Sequence, residues 1–120
     1  MKMRNKIVGQ YGEGLAVEYL KRNGHKIIAR NYQASYKEID IVAHKGDFLV
    51  FVEVKTRTSL FYGEGTEAIT YQKQQAMKKG IGHFLGHRNI EHVDVRADLI
   101  TIYVDKKSKN ARIRHYENIL

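Results

Sequence analysis

The sequence predicts an α/β domain with one mixed central β-sheet flanked by helices. Three observations predict it. Residues 5–23 and 67–86 space their apolar side chains as helices do. Residues 37–57 alternate about a Gly-Asp pair as a β-hairpin does. Residues 25–32, 93–104 and 111–117 read as further strands. The order helix, strand, hairpin, helix, strand, strand makes a mixed sheet with helices on one or both faces.

The first helix carries an apolar stripe of Ala16, Val17 and Leu20, with Ile7 and Val8 earlier. Gly24 follows Lys21-Arg22-Asn23, the pattern of a helix C-cap. Glu13 lies three, four and seven residues before the stripe residues, so it falls on the buried side. Gly9, Gly12 and Gly14 leave the helix start open and allow close approach of another backbone. His25 to Tyr32 form a short strand. In the hairpin, Ile39, Ile41 and Ala43 alternate with Glu38, Asp40, Val42 and His44. A type II′ turn at Gly46-Asp47 sets Lys45 opposite Phe48 and Asp40 opposite Glu53. The alternative loop, Lys45-Gly46, slides the pairing by two residues and keeps both acids on one face. The other face is wholly apolar. Residues 58–66, rich in Gly, Ser and Thr, form a loop. The second helix has a core stripe of Ala68, Met77, Ile81, Phe84 and Leu85. Its polar face holds Gln72, Lys73, Gln74, Gln75, Lys78 and Lys79. Lys106 to Lys109 make a basic turn between the last two strands.

The 120 residues suffice for one domain over 1–120 and one core. Lys and Arg number 21 against 13 acids, a net charge of +8. That excess favours polyanions, most simply nucleic acid, although an acidic membrane or the ribosome would also attract it. No apolar run reaches the roughly 18 residues a membrane span needs, and no signal peptide is expected. The chain has no cysteine, so it has neither disulfide nor thiolate metal site. A cytoplasmic location fits. His83 and His87 have the i, i+4 spacing of zinc ligands, but position 84 is Phe rather than a catalytic Glu. They read as surface histidines. Tyr36, Phe61 and Tyr62 flank the hairpin and read as rim packing or as platforms for bases.

The hairpin carries the chemistry. Asp40 and Glu53 sit inside runs of Ile, Val and Phe. Like charges directly opposed on a sheet repel, and a buried carboxylate needs a partner. A divalent cation resolves both. Mg²⁺ or Mn²⁺ suits a site of one or two carboxylates, waters and phosphate oxygens. Lys55 shares the Glu53 face. It is placed to hold an attacking water or to neutralise charge on a phosphate. Acid, acid and lysine around one metal is chemistry for cutting a phosphodiester.

Lys37-Glu38-Ile39-Asp40-Ile41-Val42-Ala43 and Leu49-Val50-Phe51-Val52-Glu53-Val54-Lys55-Thr56-Arg57 resemble the signature of the YraN family, also called UPF0102. Gly12-Glu13-Gly14-Leu15-Ala16, Arg30-Asn31-Tyr32, Glu67-Ala68, Lys73 and Val95-Arg96-Ala97-Asp98 extend the resemblance over residues 9–104. Lys37 departs from it, since the family usually has Gly before Glu-Ile-Asp. The family in turn resembles the PD-(D/E)xK nucleases, including archaeal Holliday-junction resolvases. The resemblance implies a restriction-endonuclease-like fold and metal-dependent hydrolysis of DNA, branched DNA included. Glu13, Asp40, Glu53 and Lys55 would be its catalytic set. Asp40, Glu53, the Val54 carbonyl and Glu13 would hold the metal, with Glu13 acting through water or a second ion. Arg57, Lys73 and Lys37 would contact DNA phosphates. The junction resolvases also imply a homodimer. Two rival expectations are a nucleic-acid-binding module with little turnover and an interaction protein docking an acidic partner through its basic face.

Overall fold

A computed structural model describes residues 2–35, 37–58, 69–90 and 93–120. Its elements are α1 (Lys2–Arg22), β1 (Lys26–Ala34), β2 (Lys37–Lys45), β3 (Phe48–Arg57), α2 (Tyr71–His87), β4 (Asp94–Val104) and β5 (Ala111–Tyr116). The five strands form one sheet in the order β1-β2-β3-β4-β5. Only β3 and β4 run parallel; the other neighbours are antiparallel. This α/β architecture is consistent with a restriction-endonuclease-like fold. No helix among the described residues is long and apolar enough to cross a membrane.

Each face of the sheet buries its own core. Ala16, Val17 and Leu20 of α1 pack on Ile41, Ala43, Val50, Val52, Ile100 and Ile102. Met77, Ile81 and Phe84 of α2 pack on Ile39, Val42, Leu49, Phe51 and Ala97. Both predicted stripes are therefore real, with differences at their ends. Ile7 is 59% exposed, because the first turns of α1 do not lie over the core. The second helix begins at Tyr71 instead of Glu67. The Thr70 side chain accepts from the Lys73 N–H and caps it there. Ala68, Glu67, His92, Tyr36, Phe61 and Tyr62, and all but the first residue of the 58–66 loop, lie outside the described residues.

The hairpin register is the one that Gly46-Asp47 predicts. Lys45 pairs with Phe48, and Gly46 has φ +58 while Asp47 does not turn positive. That fits a type II′ turn. The apolar face of the hairpin is not continuous, however. Ile39 belongs to the α2 core and Ile41 to the α1 core. On β1, Arg30 reaches α1 while Tyr32 packs on Phe84 of α2. Between them Asn31 adopts φ +52. Strict alternation would place Ile39 with Ile41, so both strands slip one residue near Asn31 and Asp40.

The glycine prediction is refined in the same region. A Cβ on Gly12 would fall onto the Thr56 side chain, whereas Gly9 and Gly14 face open space. The close neighbour of α1 is thus a side chain of β3, not a backbone.

Gly12→Ala should lower stability by about 1–3 kcal/mol, the usual cost of overpacking. Gly9→Ala, in the same helix with no neighbour, should be neutral or stabilising by up to about 1 kcal/mol. Urea denaturation of both variants checks the pair.

Candidate metal and nucleic-acid site

The strand ladder of β2 and β3 ends at Ile41 and Val52. Beyond that pair the strands stop exchanging backbone hydrogen bonds. Asp40 occupies the opening, and its Oδ2 accepts from the Val54 N–H at 2.8 Å. A side chain thus takes over a ladder bond and satisfies a backbone donor. Glu53 comes next on β3 and points to the α2 side, where the Lys73 Nζ lies 3.5 Å from its Oε1. The Lys37 Nζ lies 3.6 Å from its Oε2. Glu13 reaches the opening from the α1 side, 3.8 Å from Arg30. Asp40 therefore stands between two other acids that come from opposite faces of the sheet.

The electrostatics register the crowding. Burial first and the Glu53 charge second push the Asp40 carboxyl up to about 7, against the Val54 hydrogen bond. Burial also raises Glu13, opposed by Arg30. Glu53 Oε2 is buried and accepts no hydrogen bond. A buried carboxylate oxygen with only a distant ammonium is under-satisfied. Asp40 and this oxygen suit a hard divalent cation, which would relieve both deficits. Among the described residues no group of three or more His, Cys, Asp or Glu side chains is placed to hold a metal ion. Two carboxylates leave coordination positions for water and phosphate, so the set fits Mg²⁺ or Mn²⁺ better than a structural metal.

Lys55 and Glu53 line a cavity of about 20 Å³ together with Lys37, Lys73 and Met77. That holds about one water molecule. Arg57 closes β3 opposite Tyr103. Of the predicted residues, the structure brings together Glu13, Asp40, Glu53, Lys37 and Lys73, with Lys55 on the shared cavity. His83 and His87 do not form a metal site among the described residues. Their rings stack at 4.0 Å, and His83 Nδ1 meets the Tyr32 hydroxyl at 2.8 Å.

Sequence reasoning missed a second polar cluster. Asp98 of β4 is fully buried, yet completely partnered. His115 Nε2 donates to it at 2.6 Å, Arg96 at 2.9 and 3.0 Å, and the Asn118 N–H at 3.0 Å. The Tyr19 hydroxyl meets His115 Nδ1 at 3.0 Å and ties α1 to the group. Burial would raise the Asp98 carboxyl, but these hydrogen bonds win and hold it below the usual carboxylate range. Arg96 is only two residues away on the same strand, but His115 and Asn118 come from beyond β4, so local spacing could signal no more than the Arg96–Asp98 pair.

With this geometry in place, comparison with known proteins is decisive about the family. The profile of the "Uncharacterised protein family UPF0102" matches residues 12–102. The chain belongs to UPF0102. A UPF0102 protein of Dictyoglomus turgidum is 38% identical over 107 residues, covering 89% of this chain and 91% of that protein. One from Carboxydothermus hydrogenoformans is 38% identical over 118 residues, covering 98% of each. One from Alkaliphilus metalliredigens is 37% identical over 105 residues. The UPF0102 match includes Glu13, the whole hairpin and most of β4. It therefore spans the opening in the sheet and every acid around it.

The Asp40 shift predicts an unusual pH dependence. The unfolded carboxyl loses its proton near the ordinary 3.8, the folded one near 7. Between those values only the folded state holds the proton, so metal-free stability should fall as pH rises from about 4 to about 7 and then level off. Asp40→Asn keeps an acceptor for the Val54 N–H and removes the charge. At pH near 8 it should be more stable than wild type by on the order of 2–4 kcal/mol, at about 1.4 kcal/mol per pKa unit. At pH near 4 the two should coincide. Denaturant melts across that range, with chelator present, measure both arms.

Proposed function

We propose that this protein is a metal-dependent endonuclease-like enzyme that hydrolyses DNA phosphodiesters, with branched DNA among its substrates. The observation that carries the reading is the opening between β2 and β3. There Asp40 is pushed toward neutrality and a buried Glu53 oxygen lacks a hydrogen bond, beside Lys55 and a space for one water. Perturbed carboxylates in a cleft are characteristic of functional sites. The family match spans these residues without specifying an activity.

Asp40 and Glu53 would hold Mg²⁺ or Mn²⁺ with the Val54 carbonyl, and Glu13 would act through water. The ion supplies charge neutralisation on the phosphate and a more acidic water. Lys55 would orient an attacking water from the Glu53 side and balance negative charge developing on the phosphate. Lys37 and Lys73 lie within 4 Å of Glu53. A phosphate arriving at the opening offers them a second anion, and Arg57 stands at the end of the same strand. Two sites on a homodimer would allow both strands of a junction to be cut. The binding-module alternative keeps the same phosphate contacts without turnover, and the Lys37-Glu53 contact favours it by partly neutralising a metal ligand.

Mn²⁺ should bind wild type in calorimetry, and Asp40→Asn should bind at least ten-fold more weakly. Equal affinity of the two proteins removes the proposed ligand set.

Lys55→Ala should lower the single-turnover cleavage rate by about 10²-fold or more, the range of a positioned proton-transfer or charge-balancing group. Its DNA affinity in Ca²⁺ should change little, since the lost interaction belongs to the transition state. Cleavage at the wild-type rate rules out the role given to Lys55. A wild type that cuts no DNA form with either metal establishes the binding module instead.

A further inference from the structure

A second cavity, of about 330 Å³, opens between α2 and the turn joining β1 to β2. Among the described residues its polar lining is Ser35, Lys37, Lys79 and His83. Its size is that of small-ligand pockets. Gly80 forms part of its wall, and a Cβ there would come within 3.0 Å of Ile39 Cδ1. The missing side chain seats α2 tightly on β2 beside the cavity. Ser35 adopts φ +59, the left-handed conformation of the short turn between Ala34 and Lys37. The Tyr32 hydroxyl and His83 Nδ1 lie 2.8 Å apart and hold the ring at the cavity wall. Two ammonium groups and a hydroxyl, with an imidazole beside them, are groups suited to one anion.

Lys37 lines this cavity and also the one beside Glu53. An anion here is thus separated from the acids by a single lysine side chain. We propose that the cavity binds a phosphate of the nucleic-acid strand adjacent to the phosphate presented at Asp40 and Glu53. This rests on the nucleic-acid part of the proposed function but not on catalysis. It adds Lys79, His83 and Ser35 to the residues that contact the strand. It also gives the strand a path from the sheet opening, over Lys37, toward the middle of α2.

The test measures binding of a short labelled DNA duplex and of a branched junction in Ca²⁺, so turnover is not required. Lys79→Ala should weaken binding about ten-fold, the size of a hydrogen bond to a charged group. It should also make the slope of log affinity against log salt shallower by about 0.9, the share of one neutralised phosphate. Lys79→Arg should restore the slope. His83→Gln should weaken binding without changing the slope. Lys45→Ala is the control, since the β2–β3 turn lies at the opposite end of the sheet. A slope for Lys79→Ala equal to that of Lys45→Ala overturns the subsite, as does wild type that binds neither DNA at low salt. Inorganic phosphate is titrated in a separate arm. If it binds and is lost in Lys79→Ala while DNA affinity is unchanged, the cavity takes free phosphate and the strand assignment is wrong. Failure of wild type to cleave, with the Lys79 effects intact, removes the nuclease reading and leaves this subsite standing.

Discussion

The parting of β2 from β3 at Asp40 is the constraint on which the rest of the site depends. A sheet strand cannot leave its neighbour without orphaning a backbone donor. The Asp40 carboxylate accepts from the Val54 N–H and closes that deficit. The same event fixes where the acids lie. Ile39 is released toward α2 while Ile41 stays with α1, and Asp40 is left in the plane between them. Glu13 and Glu53 then approach from the two faces. Only at such a point do a helix acid and a strand acid on opposite sides of a sheet come near one carboxylate.

The molecule treats buried Asp98 and half-buried Glu53 differently, and the contrast is informative. Asp98 has a guanidinium, an imidazole and a backbone N–H, and its carboxyl is held in the charged form. It binds β5 and the following tail to β4 and draws Tyr19 of α1 into the same group. Glu53 has two ammonium groups at 3.5 and 3.6 Å and a buried oxygen without a hydrogen bond. The fold has the donors to satisfy a buried carboxylate fully and does so forty-odd residues away. Leaving the Asp40 and Glu53 pair short of donors costs stability in the free protein. Such a deficit persists where a ligand is meant to fill it.

Much of this was legible in the chain because it is local. The Gly-Asp pair fixes a two-residue turn, the turn fixes the register, and the register brings Asp40 toward Glu53. The stripes Ala16-Val17-Leu20 and Met77-Ile81-Phe84 likewise follow from helical spacing. What escaped is what depends on contacts between distant segments. Alternation put Ile39 on the wrong face, because it cannot show that β1 and β2 slip together near Asn31. Gly12 was read as room for a backbone, whereas the neighbour is Thr56, more than forty residues on. The Asp98 group needs β5 and the C-terminal tail folded back against β4 before it exists. Thr70 could have corrected the second helix, since a Thr before a polar first turn is a common N-cap.

Lys37 illustrates how one departure from a pattern can matter. A glycine before Glu-Ile-Asp would leave the start of β2 without a side chain. Lysine there places a charge 3.6 Å from Glu53, and its side chain is only 14% exposed. A largely buried ammonium so close to the proposed metal ligand would compete with a cation for the same oxygen. It also stabilises the site when no cation is bound, which an acid-rich opening otherwise requires of Arg30 and Lys73 alone. The competition has a direction. As a metal draws on Glu53, Lys37 loses its anion, and a strand phosphate is the natural replacement. Metal and nucleic acid would then favour each other's binding through a single lysine, a coupling that is reciprocal by thermodynamic necessity.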